Sequence, residues 1–359
     1  MGGPKQNSID ITAGVIEGFF GKPWNWESRV TGAEFLRNCG YQFYIYAPKS
    51  ESSLRRQWRE PIPSQTLQRL LQLSARCRQS GIAFGIGLTP FEIYRNYDAG
   101  AQASLRAKVA QIDQIGVNIL CILFDDMRGD IDGLAQIQAS VIADICGWSR
   151  AARFIICPTY YSHDPLLARE FGSPPKEYLR DLGRVVDPRV DFFWTGEKII
   201  SQGYSALHLA QVADDIGRRP FIWDNSIAND SRTRTNFLFL DPAAGAWNLP
   251  ADHVAGVAIN PMNQPYLSRI ALRVFQNILT QGPADSLPSI CRELCGPVVA
   301  DHLLADLELL QIKGLAELDT DTRRRLLKDY EQRQSNPFAA EVAAWLRGEY
   351  VFDPACLTT

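Results

Sequence analysis

Eight short apolar runs alternate along the chain with longer amphipathic segments. Each run has four to seven residues, the length of a strand buried in a parallel sheet. The runs cover residues 12–16, 42–46, 82–88, 118–124, 153–157, 191–194, 220–223 and 256–259. The segments between them have helical length, as at 33–39, 64–80, 103–115, 134–148 and 207–216.

Strand–helix alternation repeated eight times predicts an α/β fold, a closed (β/α)8 TIM barrel. The runs extend over about 250 residues, the usual size of this barrel. A doubly wound open sheet is the alternative, but no glycine-rich dinucleotide fingerprint follows the first run. The barrel is the better interpretation.

The last part of the chain shows a different pattern. Helical periodicity continues at 303–312, 322–333 and 339–347, and strand signals are missing. We therefore predict a catalytic barrel over residues 1–281 and a helical region over 282–359. That region either packs against the barrel or provides the surface of a homodimer.

Composition and charge exclude several classes of partner. Hydrophobic residues make up 46% and charged residues 21% of the chain, and the net charge is −3, as in ordinary globular proteins. Basic residues are interspersed with acidic ones, so we expect no nucleic-acid or membrane partner. No stretch reaches the roughly 18 apolar residues that span a membrane.

The eight cysteines predict a reduced compartment. Several lie inside apolar runs, which is typical of small buried side chains. Cys291 and Cys295 are four residues apart, but no second pair completes a zinc site. Residues 1–6 are polar and lack the apolar stretch of a signal peptide. The sequence therefore predicts a cytoplasmic protein, unless a signal was removed before this start.

Catalytic residues of this barrel lie where strands end. Polar or aromatic groups follow seven of the eight runs, and their side chains are expected to meet at one mouth. The segments concerned are 14–21, 46–49, 123–127, 157–161, 193–196, 223–225 and 260–262.

Asp125 and Asp126 are the most specific signal in the chain. They follow the fourth apolar run directly, and burying two carboxylates is unfavourable unless they have partners or a task. A helix N-cap would explain one of them. A magnesium site with Asp130 and Asp132 is a second alternative, but Gly129 and Gly133 interrupt the segment. We expect neither a metal nor a cofactor.

Two neighbouring carboxylates can divide labour, one ionised and the other protonated near neutral pH. Sugar hydrolysis needs such a division. Residues adjacent in sequence cannot easily flank a sugar from both sides. They suit a reaction in which the substrate's own acetamido group is the nucleophile, because one carboxylate then orients the acetamide and the other protonates the leaving group.

Aromatic and amide side chains at the strand ends fit a sugar ligand. Trp194, Trp223, Tyr160 and Tyr161 are candidates for stacking on sugar rings, although ordinary packing would explain any one of them. Asn225 and Asn260 can hydrogen-bond hydroxyls, and each also fits a turn.

Six ordered motifs resemble those of the family 84 glycoside hydrolases, the O-GlcNAcases and bacterial β-N-acetylglucosaminidases. The resemblance covers about residues 14–262, the whole predicted barrel. The motifs are 14–24 (GVIEGFFGKPW), 46–49 (YAPK), 124–126 (FDD), 158–161 (PTYY), 223–225 (WDN) with Asp230, and 260–262 (NPM). Two positions depart from the pattern: Phe20 stands where tyrosine is common, and Ser50-Glu51 replaces an acidic pair.

The resemblance implies a role for each matching residue. Asp125 corresponds to the carboxylate that orients the acetamide, and Asp126 to the general acid that then acts as base. The other matches are to groups that contact the sugar or its intermediate: Gly14, Lys49, Tyr161, Trp223, Asn225, Asp230 and Asn260.

The implied function is therefore a retaining exo-β-N-acetylglucosaminidase acting on a GlcNAc-containing glycan or glycoprotein. A non-catalytic GlcNAc-binding protein on the same barrel is the alternative. The intact pair Asp125 and Asp126 argues against it, because a binding protein needs no general acid.

Overall fold

The computed structural model describes residues 11–245, 247–280 and 285–358. The predicted start at 1–6 and the predicted boundary at 281/282 lie outside these residues. The strands are β1 (Ala13–Glu17), β2 (Phe43–Tyr46), β3 (Ala83–Leu88), β4 (Ile119–Leu123), β5 (Arg153–Cys157), β6 (Asp191–Trp194), β7 (Phe221–Asp224) and β8 (Gly256–Ile259).

These strands form a closed parallel barrel in sequence order. β1 closes the ring because it pairs with β2 on one side, where Gly14 faces Phe43, and with β8 on the other, where Gly14 faces Ala258. Nearly every strand residue is buried, as expected for a sheet covered on both faces. The predicted (β/α)8 barrel is thus confirmed.

The first seven helices surround the barrel. They are α1 (Trp26–Asn38), α2 (Ser64–Gln79), α3 (Ala99–Ile115), α4 (Leu134–Trp148), α5 (Pro165–Phe171), α6 (Tyr178–Val185) and α7 (Ala206–Ile216). Local chemistry sets their ends. The side chain of Asp98 accepts from the Ala101 amide to begin α3, and Gly116 ends it with a φ of 76°.

Four more α-helices follow among the described residues: α8 (Pro265–Thr280), α9 (Leu287–Ala305), α10 (Thr320–Glu331) and α11 (Pro337–Leu346). A break at Gly296, followed by Pro297, kinks α9. No helix in the described ranges combines the length and apolar character needed to cross a bilayer.

The C-terminal helices share a second apolar cluster with α8. Leu267 and Ile270 of α8 pack in it with Leu303, Tyr330 and Trp345. The carboxylate of Glu341 in α11 also accepts hydrogen bonds from the backbone amides of Tyr266 (3.0 Å) and Leu267 (2.8 Å) at the start of α8. The helical region therefore packs against the barrel through α8; its division from the barrel and a homodimer through it stay predictions.

Candidate active site

The carboxyl ends of the strands surround one open pocket of about 540 Å³, its mouth included. Seven of the eight strands contribute to the pocket wall, either directly or through the loop that follows them. The exception is β3. The lining residues are Gly18, Phe20, Lys49, Asp125, Asp126, Cys157, Tyr161, Thr195, Ile199, Ile200, Trp223, Asn225, Ala228, Asp230, Ser231, Asn260, Cys356 and Thr358.

A lysine and two aspartates form the charged centre of the pocket. The Lys49 ammonium, three residues beyond β2, contacts a carboxylate oxygen of Asp125 and lies 3.3 Å from Oδ2 of Asp126. Burial alone would lower the pKa of Lys49, but the two aspartates outweigh burial and raise it. Lys49 is therefore a fixed positive charge that reduces the repulsion between the two carboxylates.

Asp125 has one oxygen occupied and one free. Lys49 takes Oδ2, whereas Oδ1 is buried and has no hydrogen-bond partner within residues 11–245, 247–280 and 285–358. A buried acceptor without a donor is unfavourable by about 1–3 kcal/mol. Such an oxygen is suited to accept a hydrogen bond from a ligand.

Asp126 differs from its neighbour in backbone and environment. Its φ is 57°, in the left-handed region, so its side chain takes a direction that an ordinary strand end would not give. The Tyr161 hydroxyl lies 3.4 Å from its Oδ1 and donates to it. Burial raises the pKa of Asp126, against the opposing effect of Lys49 and with Asp125 adding to the rise. A protonated carboxyl is thus favoured at this position.

A chain of amide side chains connects the ends of β7, β8 and β1. Oδ1 of Asn225 accepts from the indole of Trp223 and from Nδ2 of Asn260, each at 2.9 Å. Oδ1 of Asn260 in turn accepts from the Gly18 amide at 3.1 Å. These bonds hold both asparagines and the tryptophan in one orientation against the pocket.

Asp230 lies on the loop that follows β7 and faces the same pocket. Its Oδ2 accepts from the Phe20 amide at 2.8 Å, which joins this loop to the loop after β1. Burial raises the pKa of Asp230, although the Phe20 amide and Arg234 oppose the rise. Arg234 also donates to the Ala228 carbonyl at 2.6 Å, so the loop is held by its own side chains.

The structure brings eight of the nine predicted site residues to the pocket. Gly14 is the exception: it lies inside β1 against Phe43 and does not line the pocket, whereas Gly18 does. Two aromatic candidates also lie elsewhere. The Trp194 indole donates to His208 at 3.0 Å, and the Tyr160 hydroxyl donates to the Gly172 carbonyl at 2.5 Å.

The residues considered for metals are engaged in other contacts. Asp130 pairs with Arg128 at 2.5 Å on the surface. The Cys295 thiol donates to the Cys291 carbonyl at 2.9 Å. Within the parts of the chain that the structure describes, no group of three or more histidine, cysteine or acidic side chains could hold a metal ion.

Two wall residues had no sequence signal at all. Cys356 and Thr358 belong to the last described segment, which has neither strand nor helix periodicity. Only the three-dimensional path of the chain places them in the same pocket as Asp125 and Asp126. Phe20 was noticed as a departure from the motif, and it too lines the pocket.

Comparison with known proteins identifies the family of the chain. The beta-N-acetylglucosaminidase family profile matches residues 13–290. The chain is 30% identical over 257 residues to the protein O-GlcNAcases of Mus musculus and Rattus norvegicus, covering 69% of this chain and 28% of theirs. It thus spans little more than a quarter of those relatives.

A solved structure gives the same result. The O-GlcNAc hydrolase of Thermobaculum terrenum, solved as a mutant, superposes with a TM-score of 0.72 at 26% sequence identity. The match covers 95% of this chain and 75% of that one. The profile match, the curated relatives and the shared barrel lead to one conclusion: the chain belongs to the β-N-acetylglucosaminidase family, family 84 of the glycoside hydrolases.

Proposed function

We propose that this chain hydrolyses terminal β-linked N-acetylglucosamine with retention of the anomeric configuration, and that the 2-acetamido group of the substrate is the nucleophile. The free Oδ1 of Asp125, buried beside Asp126, is the observation that carries the proposal. An acetamido N–H is a donor of the kind that this oxygen lacks.

Asp125 orients and polarises the acetamide. Its Oδ1 accepts the acetamido N–H, and Lys49 contacts its Oδ2, so the carboxylate is held in a fixed orientation. As the acetamide oxygen attacks C1, positive charge develops on the acetamide nitrogen. The nearby negative charge of Asp125 stabilises that charge in the transition state.

Asp126 acts first as acid and then as base. The glycosidic C1–O bond breaks as the acetamide oxygen forms its bond to C1, and Asp126 transfers its proton to the leaving oxygen. Water then attacks C1 of the oxazoline intermediate and gives a proton back to Asp126, which releases the sugar and regenerates the acetamide. The raised pKa of Asp126 supports the acid role. Tyr161, which donates to Asp126, is placed beside the intermediate.

The position of the two carboxylates disfavours the usual two-carboxylate mechanisms. Those mechanisms need carboxyls about 5 Å apart, or more, on opposite sides of the scissile bond. Asp125 and Asp126 both lie within reach of the single Lys49 ammonium. They therefore approach the substrate from one side, which suits a reaction whose nucleophile is the substrate's own acetamido group.

The remaining polar groups fix the non-reducing sugar. Asp230, Asn225 and Asn260 provide acceptors and donors for ring hydroxyls, and Trp223 forms an apolar wall. Because these groups close the inner end of the pocket, only a terminal residue enters it. The mechanism uses no cofactor and no metal.

The substrate is a GlcNAc-containing glycan or glycoprotein. The relatives named protein O-GlcNAcases, and the bacterial neighbour named an O-GlcNAc hydrolase, support serine- or threonine-linked GlcNAc as one substrate. A terminal GlcNAc of an oligosaccharide presents the same sugar to the pocket.

Turnover of an aryl β-N-acetylglucosaminide, beside the matching glucoside and galactosaminide, tests the proposal. We expect cleavage of the first, none of the glucoside, and a rate that falls steeply as the acetyl group is progressively fluorinated. Added chelator should change nothing. Binding of GlcNAc without turnover would favour the non-catalytic alternative, and a flat fluorination series or a trapped glycosyl-enzyme would exclude the acetamide as nucleophile.

A further inference from the structure

The last described segment crosses the mouth of the barrel. We call residues 351–358 the C-terminal strap. It leaves α11 past Tyr350, which lies under the Lys22 ammonium, and the Val351 carbonyl lies beside Gly21. The Phe352 ring then packs under the Arg232 guanidinium, 5.1 Å away. The strap thus runs from the loop after β1 to the loop after β7.

The end of the strap enters the pocket. Cys356 is only 6% exposed and lines the pocket together with Thr358. The Thr358 side chain lies near the hydroxyl of Tyr161, the same hydroxyl that donates to Asp126. Thr358 therefore lines the same pocket as the proposed general acid, with Tyr161 near both residues.

The strap is held mainly by itself. The Ala355 amide donates to the Asp353 carboxylate and the Cys356 amide to the Asp353 carbonyl, both at 2.9 Å. Within the described ranges, no backbone hydrogen bond joins residues 351–358 to the barrel. Val351 and Leu357 point outward, 71% and 49% exposed. Segments with so few contacts open locally without global unfolding.

We propose that the C-terminal strap is an autoinhibitory plug, which fills the leaving-group side of the pocket and detaches before a glycoside binds. The inference rests on the proposed function for the identity of the ligand that competes with the strap. A threonine hydroxyl in the same pocket as the acid resembles the hydroxyl that a serine- or threonine-linked substrate would leave behind. A wall that stays in place during turnover is the opposite interpretation, and it makes opposite predictions.

Thiol labelling of the full chain measures detachment directly. Cys356 is protected in the closed strap because it is buried and because burial raises its thiol pKa. We expect a small alkylating reagent to modify Cys356 far faster than Cys121, which is fully buried in β4, since only strap opening is required. Arg232→Ala, which removes the contact to Phe352, should accelerate labelling of Cys356 and leave Cys121 unchanged. Equal rates for the two thiols would overturn the proposal.

Adding free N-acetylglucosamine distinguishes a strap that detaches from one that is a fixed part of the pocket wall. A sugar that displaces the strap accelerates labelling of Cys356, whereas a sugar that binds beneath a fixed wall slows it. If the sugar does not bind at all to a chain shortened after Val351, measured by calorimetry, then the proposed function fails. The Arg232→Ala labelling result still decides the behaviour of the strap in that case.

Kinetics on an aryl β-N-acetylglucosaminide gives the second test. Shortening the chain after Val351 should lower KM and leave kcat unchanged, because a plug reduces only the fraction of open molecules. If nine in ten molecules are closed, KM falls about tenfold. Cys356→Ala with Thr358→Ala should act in the same direction. Leu357→Ala is the matched control and should have no effect, because this side chain points outward. A raised KM or a reduced kcat in the shortened chain would show that the strap is part of the catalytic wall.

Discussion

Two buried aspartates at the ends of barrel strands have opposite surroundings. Asp224 ends β7 and is fully buried. Its carboxylate accepts from the Tyr204 hydroxyl (2.8 Å), the Trp247 indole (2.7 Å) and the amide and hydroxyl of Ser226 (3.0 and 2.5 Å). Asp125 follows β4 and is almost as buried, yet its Oδ1 has no partner in the described parts of the chain.

The difference separates structural from functional carboxylates better than burial does. Four donors around Asp224 satisfy its charge and hold the loop after β7 in place, so Asp224 needs nothing from a ligand. Asp125 keeps one acceptor for a donor that the protein does not provide. An unsatisfied oxygen at a strand end is thus the more specific mark of a site.

The largest expected effect follows from removing the acid. Asp126→Asn should lower kcat/KM for an alkyl or serine-linked GlcNAc by about 10²–10⁴-fold, and much less for a dinitrophenyl glycoside, whose leaving group departs without a proton. Activity of the unmodified chain falls as pH rises through the pKa of the acid, so the variant should also lose that alkaline limb. Steady-state rates on both substrates across pH measure this.

The matched control is Asp125→Asn. This variant should lose kcat/KM to a similar degree on both substrates, because positive charge develops on the acetamide with either leaving group. A steep leaving-group dependence for Asp125→Asn and a flat one for Asp126→Asn would reverse the two roles.

The contrast between Asp224 and Asp125 is tested by measuring both unfolding free energy and kcat in variants of each. In Asp224→Asn, the four donors would face an amide NH₂ group or an uncharged oxygen in place of a carboxylate. We therefore expect a loss of about 2–4 kcal/mol in unfolding free energy. The folded fraction should retain its kcat. Asp125→Asn should show the reverse, with a large loss of kcat and a smaller change in stability, because Asp126, 3.3 Å from the Lys49 ammonium, can still pair with it. Denaturant unfolding and steady-state kinetics on the two variants decide. Equal stability losses would mean that the free oxygen of Asp125 has no special meaning.

Asp230→Ala should have a smaller effect on catalysis. It removes a hydrogen bond between a carboxylate and a sugar hydroxyl, worth about 1.5–3 kcal/mol, which corresponds to about a tenfold to hundredfold loss in kcat/KM. Asp230→Asn is the control, because it keeps an acceptor for the Phe20 amide. Unchanged kinetics in Asp230→Ala would show that this loop does not bind the sugar.

The smallest effect on catalysis is expected at Glu341, a buried carboxyl group outside the pocket that accepts hydrogen bonds from two backbone amides. Burial raises the pKa of Glu341 to about 8, although the amides of Tyr266 and Leu267 oppose the rise. An unfolded glutamate loses its proton near pH 4.3, so the native chain binds more protons and stability falls as pH rises from about 4.5 to about 8. Glu341→Gln, which cannot ionise, should flatten this slope and leave kcat unchanged. Melting temperatures across pH test it; an unaltered slope would contradict the assignment.

Much of the barrel could be predicted because its signals are local. Apolar runs located all eight strands to within two residues, and α4 begins and ends where its periodicity does. The short helices α5 and α6 between β5 and β6 were missed because each has fewer than nine residues. α8 was missed as well; it contacts α1 on one side and α9 and α11 on the other, so its buried positions spread around the helix.

The pocket residues that directly follow a strand could be predicted from the sequence. Those contributed by a distant segment of the chain could not. Asp125, Asp126 and Lys49 come directly after strands or within three residues of them, so the barrel topology alone brings them together. Gly14 does not line the pocket, because the motif extends through β1 into the following loop and only its loop residues reach the pocket. The strap contributes Cys356 and Thr358 through a path set by tertiary packing, which no periodicity records.

The left-handed backbone conformation at Asp126 restricts which residues can replace it. A φ of 57° is most favourable for glycine, then for asparagine, aspartate and histidine, and it strongly disfavours β-branched side chains such as valine or isoleucine. Glycine and asparagine have no proton to give to a departing oxygen. The reaction thus requires a proton donor at a turn that favours glycine and asparagine, so a lineage that loses the activity would be expected to drift to asparagine or glycine at this position.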